Sequence, residues 1–246
     1  MTASGRDGCL RADLIVQPAL VVFDMAGTTI AASAGIGVAL LDAFRSAGLE
    51  PPPEALRRVR GRRKLDAIVE LIRGVAPGAV RPALATEIHA AFRDRLEAHY
   101  AKHPVTPIPG AEKTFRWLHA RGIRMALTTG LDRDLAHALL RRLEWGSPLV
   151  SAVVCAEDVR NGRPAPDMIW RAMELAKVVR PAEVAVVGDT VVDLRAARNA
   201  GAGYAIGVLS GAADAAALAA EPHTVILDSV ADLPGWWERY SETPAP

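Results

Sequence analysis

The chain has 246 residues, 50% of them hydrophobic and 23% charged, with a net charge of +1. That length suits one large α/β domain with a smaller insertion, and the composition is that of a globule rather than a disordered chain. The near-zero charge offers no field for nucleic acid or an anionic membrane surface, so neither is expected as a partner.

Residues 1–17 mix acidic and basic side chains without a long apolar core. They are expected to form a mobile lead-in rather than a signal peptide. The uncharged run 25–41 is rich in Gly, Ala, Ser and Thr, too polar for a membrane span. The two cysteines, Cys9 and Cys155, have neither metal-type spacing nor a disulfide framework, which points to a reducing, cytoplasmic setting.

The first strand is expected at 20–23, four apolar residues running into Asp24 and then Met25–Ala26–Gly27–Thr28–Thr29. A short apolar run bounded by turn residues suits a parallel sheet buried on both faces. In such sheets the site lies beyond the carboxyl ends of the strands, where Asp24 falls. Gly27 permits a tight turn, and the small residues after it let backbone N–H groups approach an anion. Taken alone, the stretch fits equally a strand ending in an Asx-type turn.

Helical spacing follows over 36–47, ending at Gly48 as a C′ glycine. Pro51–Pro53 form a rigid break. Residues 54–60 and 64–73 read as two helices hinged at Gly61, and 82–100 as a long helix. Residues 32–105 are therefore expected to form an all-helical insertion, with a core made of 18–31 and 106–246.

From Gly110 the pattern alternates. Helices are expected at 111–120, 132–143 (capped by Asp132), 166–177, 193–200 and 213–220. Strands are expected at 123–128, 150–154, 184–187, 204–209 and 225–227. Alternation of this kind predicts a parallel sheet with right-handed crossovers, in which the Asp24 strand lies between the 123–128 and 184–187 strands. Trp236 and Trp237 read as packing residues.

Three later strand ends repeat the design of the first. Thr128–Thr129–Gly130 offers a hydroxyl and a glycine amide to a phosphoryl oxygen. Gly162–Arg163–Pro164–Ala165–Pro166 holds a planar cation in a proline-stiffened loop. Gly188–Asp189–Thr190–Val191–Val192–Asp193 places two carboxylates four residues apart, suited to a hard cation that keeps some waters. Asp193 also fits a helix N-cap.

Together, and in this order, the four motifs resemble the haloacid dehalogenase superfamily over residues 20–209. The resemblance implies a Rossmann-like core with a helical cap inserted after the first strand. It implies that Asp24 is a nucleophile forming an acyl-phosphate. Gly27, Thr28, Thr129, Gly130 and Arg163 would hold the phosphoryl group, Arg163 taking a position where lysine is commoner. Mg²⁺ would be held by Asp24, Asp189 and the Ala26 carbonyl, with Asp193 in support.

Ala26 stands where the phosphatases of this superfamily carry an aspartate that protonates the leaving oxygen. General acid help of that kind is typically worth ~10²–10⁴-fold. The Asp-x-Ala-Gly-Thr-Thr form resembles instead the phosphonatases and phosphonatase-like hydrolases. In that group a cap lysine forms a Schiff base with an aldehyde phosphonate, and carbon leaves as an enamine. Gly61–Arg62–Arg63–Lys64 matches their Gly-x-x-Lys motif, and the Gly–Arg–Pro form of the third motif resembles theirs. Arg60, Arg62 and Arg63 are expected to lower the Lys64 pKa. By itself the run also fits a solvated basic turn.

Three departures bear on the substrate. Ala67, the loop around Ala34 and Leu131 stand where the phosphonatase pattern has histidine, cysteine and tyrosine. His89, His99 and His103 are candidates to move protons instead. The expected activity is cleavage of phosphonoacetaldehyde or a related carbonyl phosphonate. A phosphomonoesterase acting on a small phosphate ester, and a non-catalytic phosphate-binding protein, are the alternatives. The sequence leaves a homodimer open.

Overall fold

The structure is a computed structural model that describes residues 17–31 and 35–241. Apart from Gln17 the expected lead-in lies outside them, as do Cys9 and residues 32–34.

The chain opens with β1 (Leu20–Asp24). Four helices follow: α1 (Gly35–Ser46), α2 (Pro53–Arg58), α3 (Lys64–Val75) and α4 (Pro82–Lys102). After α5 (Ala111–Ala120) and β2 (Arg124–Thr129) come α6 (Arg133–Arg142), β3 (Ala152–Cys155) and α7 (Asp167–Leu175). The chain continues with β4 (Val184–Gly188), α8 (Val191–Ala200), β5 (Tyr204–Val208), α9 (Ala215–Ala219), β6 (Val225–Leu227) and α10 (Leu233–Ser241).

The six strands form one parallel sheet in the order β3-β2-β1-β4-β5-β6. This is the Rossmann-like α/β core, with β1 between β2 and β4 as expected. The register aligns the motif ends: Asp24 sits opposite Thr128, Thr129 opposite Cys155, and Gly188 opposite Gly207.

Every residue of β1 is buried, because both faces of the sheet are covered. Successive side chains in a strand point to opposite faces. Val21 and Phe23 pack with Phe115 and Leu118 of α5 and with Trp236 and Trp237 of α10. Leu20 and Val22 pack on the other face with Met168, Ala172 and Met173 of α7 and Ala196, Ala197 and Ala200 of α8. The tryptophans are packing residues, on a C-terminal helix the sequence pattern had not marked.

Between β1 and β2 the named elements are helical apart from short turns. Leu40 and Phe44 of α1, Ile68 and Ile72 of α3, and Ile88, Phe92 and Leu96 of α4 bury against one another. Their cluster is continuous with the α5 side of the sheet, so the insertion is packed onto the core. No helix among the described residues is long and apolar enough to cross a membrane.

Two capping expectations need correction. Asp132 stands at the N-cap of α6 but makes no side-chain cap hydrogen bond. Its carboxylate faces His89 Nε2 and Arg93 Nε of α4, each at 3.2 Å, so it ties the insertion to the core. Asp193 is not the N-cap of α8. Thr190 is, with Asp193 at the third helical position completing a reciprocal capping box.

Phe115 is fully buried, 5.5 Å from Phe23 and 4.9 Å from Trp145 between ring centroids. Phe115→Ala is expected to lower unfolding stability by about 3–5 kcal/mol, read as a drop in the urea midpoint. Val179→Ala, at a side chain 87% exposed, should change it by less than ~0.5 kcal/mol.

Candidate active site

The motif loops meet above the carboxyl ends of β1, β2 and β4. A cavity of about 570 Å³ opens there, between the sheet and the insertion. Asp24, Ala26, Thr129, Gly130, Arg163 and Asp189 line it from the core. Gly61, Lys64 and Ala67 line it from the insertion. A second cavity of about 550 Å³, beside His137 and Trp145, holds none of the motif residues.

Asp24 is buried and joined to Arg163 Nη1 at 2.5 Å. The same guanidinium nitrogen pairs with Asp193 Oδ1. Asp193 Oδ2 is held by the N–H and hydroxyl of Thr190. The role of Asp193 is thus to brace Arg163 from the start of α8. Arg163 Nε is buried without a hydrogen-bond partner, a donor left over for an oxygen bound in the cavity. Burial raises the Asp24 pKa to about 6, against the pull of Arg163 and with help from Asp193.

Asp189 is also buried. Its Oδ1 accepts from the Thr28 hydroxyl at 3.1 Å and its Oδ2 from the Ala212 N–H at 2.7 Å. Burial, then Asp24 and Asp193, push its pKa up to about 8. Three buried carboxylates here face one guanidinium and one amine, so with Lys64 neutral the cluster carries two negative charges in excess. A divalent cation bound by oxygen would cancel them. Among the described residues no three His, Cys, Asp or Glu side chains group to hold a metal. The donor set here is two carboxylates, Asp24 and Asp189, and Ala26, with its backbone carbonyl, lines the same cavity. Such a set leaves positions for water and a substrate oxygen, as magnesium prefers. These residues fit the ion.

Gly27 and Thr28 do not line the cavity, contrary to their expected phosphate-binding role. The Gly27 N–H donates to the Ile30 carbonyl at 2.8 Å and the Thr28 N–H to the Met25 carbonyl at 3.3 Å. The Thr28 hydroxyl is committed to Asp189. The tight turn spends these donors on itself and on the Asp189 carboxylate. Thr129 and Gly130 do line the cavity. The Thr129 hydroxyl oxygen accepts from the Leu131 N–H at 3.1 Å, which leaves its proton to give.

The insertion reaches these loops at its 61–64 turn. The Lys64 N–H donates to the Gly130 carbonyl at 3.3 Å. A Cβ on Gly130 would lie 2.4 Å from the Arg62 carbonyl oxygen. Gly61 has φ +75°, and a Cβ there would lie 2.6 Å from Thr190 Oγ1. Only glycine permits both approaches.

Lys64 is 8% exposed, and its Nζ sits 3.4 Å from the Arg62 carbonyl. Its pKa falls to about 8, first through burial and then through Arg163, while Asp24 and Asp132 oppose the shift. The lowering was expected from Arg60, Arg62 and Arg63. Instead, Arg62 is paired with Glu70 at 2.5 Å and Arg63 reaches the Arg160 carbonyl. Lys64 is depressed by desolvation and by the core arginine.

None of His89, His99 and His103 lines the cavity. His89 faces Asp132, and His99 stacks on His103 with centroids 4.2 Å apart. Ala67 and Leu131 do line it, as plain apolar wall. The loop after β5 went unnoticed in the sequence. Gly211 and Ala212 line the cavity, Ala212 holds Asp189, and Ser210 donates to the Gly27 carbonyl at 2.7 Å. Ser–Gly at a strand end was its signal.

The model of the haloacid dehalogenase-like hydrolases matches residues 18–201. A phosphonoacetaldehyde hydrolase of Bacillus cereus is 32% identical over 205 residues, 79% of this chain and 76% of the relative. A phosphoglycolate phosphatase of Pseudomonas fluorescens is 28% identical over 242 residues, 93% of this chain and 84% of the relative. In fold, the chain is similar to a phosphonoacetaldehyde hydrolase-like protein from Oleispira antarctica. The TM-score is 0.78 at 22% identity, covering 94% of this chain and 98% of that one.

Gly130→Ala keeps the backbone amide but drives a Cβ into the Arg62 carbonyl. It is expected to lower kcat/KM for phosphate release by at least about tenfold, roughly 1.4 kcal/mol of transition-state stabilisation. The urea midpoint should change less than it does in Phe115→Ala. Wild-type turnover in Gly130→Ala would show that the turn need not sit this close.

Proposed function

The chain belongs to the haloacid dehalogenase-like hydrolases, and on that premise we propose that it cleaves the carbon–phosphorus bond of phosphonoacetaldehyde or a related carbonyl phosphonate. One observation carries the reading. A buried primary amine, Lys64, lines the same cavity as Asp24, while Ala26 occupies the position from which a carboxyl group would protonate an ester oxygen.

In this reading the Lys64 amine adds to the substrate carbonyl and water leaves, giving a protonated imine. Asp24 then attacks phosphorus. The P–C bond breaks and its electron pair passes into the enamine, so no acid at the leaving atom is needed. Protonation and hydrolysis of the enamine release acetaldehyde and free Lys64. Water attacks the Asp24 acyl-phosphate and releases phosphate. The sum is phosphonoacetaldehyde plus water giving acetaldehyde plus phosphate.

Arg163 orients the Asp24 carboxylate and offers Nε to a phosphoryl oxygen. Thr129 and the Gly130 amide are the further donors we assign to that group. Asp24, Asp189 and the Ala26 carbonyl are assigned to Mg²⁺, which would neutralise charge on the phosphoryl oxygens. Asp193 braces Arg163, and Gly61 lets the turn approach. The insertion is read as the cap that carries Lys64.

A phosphomonoesterase is the second reading, supported by the phosphoglycolate phosphatase relative. The carboxyl groups lining the cavity are Asp24 and Asp189, and both are already assigned. Lys64, protonated below about pH 8, is then the group left to serve as the acid.

Borohydride with phosphonoacetaldehyde is expected to inactivate the enzyme and leave an N-ethyl or N-phosphonoethyl group on Lys64, read by peptide mass spectrometry. Lys64→Arg keeps the charge but cannot form an imine, so it should lose trapping and phosphate release together. Release of phosphate from phosphonoacetaldehyde by Lys64→Arg at the wild-type rate would remove the Schiff base.

The pH dependence separates the two readings. The imine needs the neutral amine, whose neighbours are Arg163, Asp24 and Asp132. With the Lys64 pKa at about 8, kcat/KM for C–P cleavage should rise about tenfold per pH unit below pH 8 and level off above it. An ester reaction using Lys64 as acid would fall above pH 8 instead.

A further inference from the structure

The cavity is larger than a two-carbon substrate needs. Its volume of about 570 Å³ is in the range of pockets that hold ligands of drug size. The core end supplies partners for one phosphoryl group. The far end is walled by the insertion, with Ile36, Leu40, Leu41, Leu56 and Val59 giving it an apolar surface. Two cations interrupt that surface, Arg57 of α2 and Arg60 on the turn before Gly61.

Residues 57–63 contain five arginines, and they are not alike. Arg62 is paired with Glu70, and Arg63 reaches the Arg160 carbonyl. Arg57, Arg58 and Arg60 are all exposed, and of the three only Arg58 does not line the cavity. Arg57 and Arg60 line it, and among the described residues their side chains have no hydrogen bond or ion pair. Glu54, one turn earlier on α2, pairs with neither. The acidic groups lining the cavity, Asp24 and Asp189, have partners of their own.

We propose that Arg57 and Arg60 bind a second oxyanion of the substrate, so that the substrate is a carbonyl phosphonate ending in a carboxylate. This rests on the C–P reading above. A guanidinium matches a carboxylate in a bidentate pair. The apolar wall suits the methylenes between the two anionic ends, and Lys64, which lines the same cavity, meets the carbonyl. The chemistry is unchanged: water adds across the C–P bond, phosphate and a methyl ketone form, and the carboxylate is untouched.

The test uses 5-phosphonolevulinate, whose carboxylate lies two methylenes beyond the ketone, and its carboxyl methyl ester. Phosphate release is measured for wild type, the double variant Arg57→Gln/Arg60→Gln, and Arg58→Gln. Wild type should favour the acid over the ester in kcat/KM by about 10- to 100-fold, the worth of a hydrogen-bonded charge. The double variant should lose that preference through KM, and Arg58→Gln should keep it. Equal handling of acid and ester by wild type overturns the proposal. So does a preference that survives in the double variant. If phosphate is released from 4-phosphooxybutanoate and its methyl ester but not from either ketone, the C–P reading fails. The same acid-to-ester ratio on those phosphates then decides the role of the arginines separately.

Discussion

The turn at residues 61–64 meets the loops of the sheet at distances that leave no room for side chains. Gly130 has the Arg62 carbonyl 2.4 Å from where its Cβ would be, and Gly61 has Thr190 at 2.6 Å. Gly162 would place a Cβ 2.9 Å from Arg63. At Gly130 the obstacle is a backbone carbonyl, which cannot yield as a flexible side chain can, and at Gly61 the positive φ adds backbone strain to the close side chain of Thr190. The seating puts the start of α3 over the carboxyl ends of the strands. Lys64 is buried by it, and burial is the first cause of its lowered pKa.

Beneath that turn lies a cluster of charge that the fold does not balance by itself. Arg163 answers Asp24 and Asp193, while Asp189 is left with a hydroxyl and an amide. Buried charges are costly unless paired. The cost appears as carboxylates pushed toward their neutral forms. The same imbalance fits a bound cation, and it fits the proposed phosphoryl transfer, because preorganised groups need little rearrangement at the moment of reaction.

Ala26 and Lys64 acquire meaning from each other. An alanine at the strand end removes an acid, which is a loss for an ester and no loss for a carbon leaving group drained by an imine. An amine set in a wet turn would be an ordinary lysine. Held in the same cavity as Asp24, it is the amine on which the proposed imine rests. Asp132 adds a second link between the halves, since its carboxylate faces His89 and Arg93 of α4 just beyond the Thr129–Gly130 loop.

Much of this was legible in the sequence because it is local. Apolar runs of strand length followed by polar residues marked β1, β2, β4 and Asp24, and the order of the motifs placed Asp24 on the central strand. Helical spacing marked α1, α3 and α4. Other features depend on contacts between segments far apart in the chain. Asp193 looked like an N-cap, but Arg163, thirty residues earlier, decided its partner. Thr28 looked like a phosphate donor until Asp189 claimed its hydroxyl. Five arginines in seven residues were indistinguishable as text. Which two line the cavity depends on how α2 and the turn are rotated against the core. The sequence by itself determined the strands, the order of the chemistry and the candidate residues, because periodicity and strand-end composition are properties of neighbours in the chain. The tertiary structure decided which donors are free, which charges are paired and why Lys64 titrates low, because those follow from burial and distance between loops that only the packed sheet and insertion bring together.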